Sequence, residues 1–102
     1  MNPVPTPVEQ VLAAPALLVR PASDRFRDAG LALLNTMNLG EGRLVLELSE
    51  TYDADSVGIA ALIAMQRRAR ERGLVIVLRG VTPSFRELLH MTKLDSRFAM
   101  EQ

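Results

Sequence analysis

The chain has 102 residues, 48% of them hydrophobic and 24% charged, with 12 basic side chains against 12 acidic ones. That length holds one core and leaves no room for a second domain, and the even charge balance supplies no net field to draw the chain toward nucleic acid or anionic lipid. Cysteine is absent, which removes disulfides, thiol nucleophiles and zinc-thiolate sites, and His90 has no histidine partner for a metal.

The apolar runs are too short to cross a bilayer. The start, "MNPVPTPVEQ", lacks the basic first segment, apolar middle and small-residue cleavage site of a secretory signal, so a cytoplasmic protein is expected. Pro3, Pro5 and Pro7 alternate and predict an extended tail over residues 1–7, followed by one domain over 8–102. "VEQVLAAPALLVR" offers two short apolar runs broken at Ala14 and Pro15, which read as a strand pair with a tight connection. Ser23 then suits an N-cap for a helix carrying Phe26, Ala29, Leu33, Leu34 and Met37 on one side and ending before Gly40-Glu41-Gly42.

"RLVLEL" (Arg43 to Leu48) reads as a strand, and "LVIVLR" (Leu74 to Arg79) as a more deeply buried one, β-branched and apolar on both faces. Between them a helix is expected over Ser56 to Arg72, closed by Gly73; two strands joined by such a helix run parallel, with a right-handed crossover. Thr82-Pro83 starts the last helix, with threonine as N-cap and proline where its missing N–H costs nothing; Phe85, Leu88 and Leu89 form its apolar side. The expected fold is α/β: a small mixed, mostly parallel sheet of about four strands with helices against it, in the order β-β-α-β-α-β-α.

Residues Val57 to Met65 are apolar or glycine on every side of their helix, whereas a surface helix keeps a polar side. Ile59, Leu62, Ile63 and Gln66 are expected to face the sheet. The opposite side, with Val57, Ala60, Ala61 and Ala64, is then free to contact a protein partner; helix propensity, or packing under a neighbouring helix, accounts for the alanines almost as well. Arg67, Arg68, Arg70, Glu71 and Arg72 read as a solvated face with cations near a helix C-terminus rather than a phosphate-binding patch.

Asp55 and Ser56 stand at that helix's N-terminus, where unpaired N–H groups and the positive end of the dipole favour an oxygen or an anion. A serine there is, taken alone, a plain N-cap. It is also a good place for a phosphoryl group, which adds about −1.5 to −2 charges: the helix tolerates it, an apolar partner surface does not, and Asp53 and Asp55 add like-charge repulsion. These two acids are too few oxygens for a calcium site. No phosphate loop precedes a Lys-Ser or Lys-Thr pair, and no Gly-x-Ser-x-Gly surrounds Ser56, so neither nucleotide hydrolysis nor serine hydrolysis is expected, and no cofactor.

"RLVLELSETYDADSVGIAALIAMQRRARERGLVIVLRGVTPSFRELLHMTKLDSRF", about the last three-fifths of the chain, resembles the STAS family: a strand ending near Asp/Glu-Leu-Ser, an Asp-Ser-x-Gly loop, a helix, a glycine and a second buried strand. In that family's anti-sigma factor antagonists the serine after the aspartate is phosphorylated by a partner that is both anti-sigma factor and serine kinase. The resemblance therefore implies Ser56 as phosphosite; together with the apolar side of the helix, the expected partner surface is Asp53, Asp55, Ser56, Val57, Gly58, Ala60, Ala61 and Ala64. It also matches Asp24 to an acidic residue that the family keeps near the end of its second strand, close to the phosphosite. Val57, Glu47, Lys93 and Asp53 differ from what the antagonists commonly carry. A second role implied by the resemblance is a subunit of a bacterial phospholipid-transport ABC system, docking constitutively on its ATPase through the same loop and helix. Asp53 and Val57 suit that role, whereas "LLHMTKLDSRF" is closer to the antagonists.

Overall fold

The computed structural model describes residues 8–101, so the tail expected over 1–7 lies outside the described residues. In chain order the elements are β1 (Glu9–Ala13), β2 (Leu17–Leu18), α1 (Ala22–Thr36), β3 (Arg43–Glu47), β4 (Asp53–Ala54), α2 (Ser56–Glu71), β5 (Val75–Arg79), α3 (Pro83–Met91) and β6 (Ala99–Glu101). This is the expected order with two short strands, β4 and β6, added.

The main sheet runs β1-β3-β5-β6, and all three pairings are parallel. Each is bridged by a helix, since parallel neighbours need a long crossover. Leu44 lies beside Ile76 and Leu46 beside Leu78, and all four are buried against the helices. β1 and β2 do not pair with each other as expected. Ala14 continues the ladder to β3 by donating to the Glu47 carbonyl (2.9 Å), while the Ala16 carbonyl accepts from Tyr52 N–H (3.1 Å) and opens a second, two-stranded sheet of β2 and β4. Ala-Pro-Ala supplies no residue suited to the positive φ of a tight hairpin, so the chain shifts sheets instead of reversing.

α1 starts at Ala22, two residues earlier than Ser23 as N-cap would require. Pro21 precedes the helix without a side-chain cap, and Ser23 sits inside it, fully buried, with its N–H bonded to the Val19 carbonyl. Phe26, Gly30 and Leu34 face inward, whereas Ala29 is exposed. Gly30 is where α1 meets α2, since a Cβ there would overlap the Met65 sulfur. In α3 the Thr82 hydroxyl caps Phe85 N–H (3.3 Å), with Phe85 and Leu89 buried as expected.

On the sheet's other face Val11, Val45, Val77 and Ala99 form one row. Val45 and Val77 are buried there because charged side chains close over them. Arg79 reaches Glu9 at 3.0 Å and Glu101 at 2.6 Å, and Arg43 reaches Glu9 at 2.8 Å. Hydrogen bonds from Arg43, then Arg79, hold the Glu9 carboxyl below the usual carboxylate range, and Glu101, then Glu9, raise Arg79. A carboxyl depressed in the folded state stabilises above its unfolded value and loses that contribution as pH falls through the folded one. Urea midpoints are therefore expected to fall on acidification below the ordinary carboxylate range, and Glu9→Gln to remove a small part of that fall, small because the pairs are exposed. A pH profile identical to wild type would remove the network from the stability account.

Candidate functional site

The segment leading to Ser56 is held from two sides. The Thr51 hydroxyl, fully buried, donates to the Pro15 carbonyl (2.7 Å), and the Thr51 carbonyl accepts from the Thr82 hydroxyl (2.7 Å). Ser84 donates to the Tyr52 carbonyl (3.2 Å). Thr82 thus caps α3 and ties it to this segment, and the β2–β4 pairing, Leu17 with Asp53 and Leu18 with Ala54, sets the start of α2.

Each residue of Asp55-Ser56-Val57-Gly58 has a separate geometry. Asp55 is the N-cap: its backbone is extended, and its Oδ1 accepts the Gly58 N–H at 2.9 Å. Ser56 is the first helical residue, exposed, and its hydroxyl makes no hydrogen bond among the described residues. The N-cap that a serine would explain is supplied by its neighbour. Gly58 is buried against β2, and a Cβ there would overlap the Leu18 carbonyl oxygen. The glycine therefore lets the helix N-terminus approach the strand, where Asp55 N–H points to that same carbonyl (3.4 Å). Asp55→Ala is expected to cost about 1 kcal/mol in urea denaturation and Asp55→Asn much less, because asparagine caps nearly as well. Equal losses in the two variants would mean that capping is not what Asp55 contributes.

Beside Ser56 an apolar groove of about 360 Å³ opens between α2 and α3, floored by Ile59, Ile63 and Leu88 and closed by Thr92. The inward side of α2 is Gly58, Ala61, Leu62, Met65 and Ala69. The expected faces are therefore rotated. Ala61, assigned to the partner surface, is only 3% exposed, whereas Ile63, assigned to the sheet, is 37% exposed. Gln66 donates to the Arg97 carbonyl (2.6 Å) beyond α3 instead of meeting the sheet. The cause is α1, which packs along α2 and meets it where Gly30 faces Met65.

The family model described as "Mlab, STAS domain" matches residues 5–101, nearly the whole chain. The chain belongs to the STAS family. The STAS domain superposes on a candidate anti-sigma factor antagonist from Thermotoga maritima with a TM-score of 0.76, at 18% identity, covering 95% of this chain and 83% of that one. It superposes on a sulfate transporter family protein from Wolinella succinogenes with a TM-score of 0.74, at 15% identity, covering 89% and 71%. Both likenesses establish the fold. No curated protein matches the chain.

In this STAS domain Asp53 and Ala60 are exposed, and Val57 and Ala64 are half-buried. Asp24 is not at a strand end: it lies in the first turn of α1, within 3.4 Å of Arg20 and 3.7 Å of Arg27. Sequence reasoning missed Tyr52, which is 54% exposed beside Asp53, and the anchoring by Thr51 and Thr82. The chain's one tyrosine, directly ahead of Asp53, was the available signal. Among the described residues no helix is long and apolar enough to cross a membrane, and no cluster of three metal-ligating side chains occurs.

Proposed function

We propose that this STAS domain is a non-enzymatic regulatory module of the cytoplasm. Unphosphorylated, it captures an anti-sigma factor that is also a serine kinase, through the Ser56 end of α2 and the adjoining groove, and phosphorylation of Ser56 releases the partner. One observation carries this reading: Asp55 supplies the cap, so the Ser56 hydroxyl is exposed and free to accept a phosphoryl group without cost to the helix. The phosphate would sit at the positive end of the α2 dipole, which tolerates it. It would also stand beside Asp53 and at the mouth of an apolar groove, where a partner surface would have to desolvate it.

A second reading has support of its own. The description of the matching family model and the superposition on a sulfate transporter family protein favour a transporter subunit, docked constitutively on the ATPase of a bacterial phospholipid-transport ABC system. Capture of tagged protein from its native cells, with partners identified by mass spectrometry, separates the two. A co-purifying serine-kinase-like anti-sigma factor is expected; an ABC ATPase in its place would make this chain the transporter subunit.

A further inference from the structure

At the far end of α2 lies a second groove, of about 520 Å³, between that helix and the segment joining α3 to β6. Its floor is apolar: Ile63 is exposed, and the edges of Leu94 and Phe98 complete it. Its rim carries Arg67 and Arg70 from α2 with Lys93 and Arg97 from the joining segment, all exposed.

Among the described residues these side chains make no hydrogen bond. Arg68 bonds to Asn35 (2.8 Å) and Arg72 to the Met37 carbonyl (2.8 Å), so alternate members of the arginine run bind α2 to the α1 side. Arg67, Arg70, Lys93 and Arg97 enter no ion pair among the described residues, and Glu71, the one carboxylate on the rim, is turned to Arg68 at 3.7 Å. Lys93 holds a left-handed backbone, φ 60°, at the end of α3, a position that glycine fills without strain. A charged side chain is kept there at a conformational cost, which draws attention to the charge. Gln66, bonded to the Arg97 carbonyl, fixes the distance between the two walls.

We propose that this groove binds an acidic peptide segment of the partner, with an apolar side chain seated over Ile63 and carboxylates paired to Arg67, Arg70, Lys93 and Arg97. Four cations around an apolar floor are complementary to acidic and apolar residues in alternation, and charge complementarity of this kind fixes register and speeds encounter. The groove is continuous with the one beside Ser56 through Ile63 and Thr92, which line both. A segment bound here thus extends the interface of the proposed function and rests on that reading for its source. Arg67 lies eleven positions after Ser56 on α2, about 16 Å along the axis, beyond the reach of unscreened charge at physiological salt. The acidic contact is therefore independent of phosphate on Ser56.

The test uses the full chain and a panel of short fluorescein-labelled peptides with glutamate at alternate positions and Leu, Ile, Met or Phe between, read by anisotropy and by amide NMR shifts. Glutamate peptides are expected to bind and to shift Ile63, Leu94 and Phe98, with Arg67→Glu/Arg70→Glu weakening them about tenfold. Failure of every glutamate peptide to bind, equal binding of lysine counterparts, unchanged affinity in the double variant, or shifts elsewhere would overturn the proposal. So would ATP shifting these residues where the peptides do not, since the groove would then serve a small phosphorylated ligand. Because the peptides are read on this chain alone, with no kinase and no phosphate on Ser56, the result stands apart from the fate of the phosphorylation switch.

Discussion

Gly58→Ala is expected to destabilise the domain by about 2 kcal/mol, although the same substitution in an unobstructed helix stabilises by about 1 kcal/mol through propensity. The sign is decided by what the new methyl meets. It is no flexible side chain but the Leu18 carbonyl oxygen, with the Leu18 carbonyl carbon behind it. α2 must tilt away from β2, which loosens the Asp55 N–H contact to that carbonyl and strains the β2–β4 pairing. For a domain of this size the loss corresponds to a fall in Tm on the order of 10 °C. Thermal and urea unfolding check it directly. A variant as stable as wild type would show that the helix start has room, and that glycine at this place in the motif is not a packing requirement.

Ser56→Asp is expected to weaken capture of the cognate partner by at least about thirtyfold, equivalent to roughly 2 kcal/mol, while Ser56→Ala stays within about twofold of wild type. The asymmetry follows from where the side chain sits. The hydroxyl makes no bond among the described residues, so removing it leaves nothing unpaired. Adding a carboxylate beside Asp53 and Asp55 places three like charges around the first turn of α2, which an apolar partner surface can cover only by desolvating them. The free protein should not suffer, because an acid in the first turn of a helix is favoured by the dipole. Unchanged or raised Tm with lost binding is thus the expected pair of results, measured by calorimetry on both variants. Equal affinity in the two would remove Ser56 from the interface.

Much of this arrangement was legible in the sequence. β3, β5 and the helix between them follow from two apolar runs, a glycine and a length, and the Thr82-Pro83 start of α3 is a local signal that nothing overrides. What was not legible had physical causes. Asp53–Ala54 and Ala99–Glu101 are two and three residues long, too short for any periodicity, and exist because partners from elsewhere lie beside them. Ser23 has the chemistry of an N-cap, but the chain already turns into the helix at Pro21 and carries the serine into the interior. Val57 to Met65 of α2 are apolar or glycine on every side, so no contrast there said which face goes inward. α1 decided that, meeting Met65 through Gly30 and leaving Ile63 toward the groove. In Asp55-Ser56-Val57-Gly58, the sequence did not reveal the division of labour in which aspartate caps, serine stays free and glycine admits the strand.

The most direct test of the switch is the phosphorylation state of Ser56 in tagged protein purified from its native cells, read by mass spectrometry separately in the partner-bound and the free fractions. Phosphate on Ser56 in the free fraction, and its absence from the bound one, is the predicted result. Phosphate at equal occupancy in both fractions, or on neither, would contradict a domain that releases its partner when Ser56 is modified.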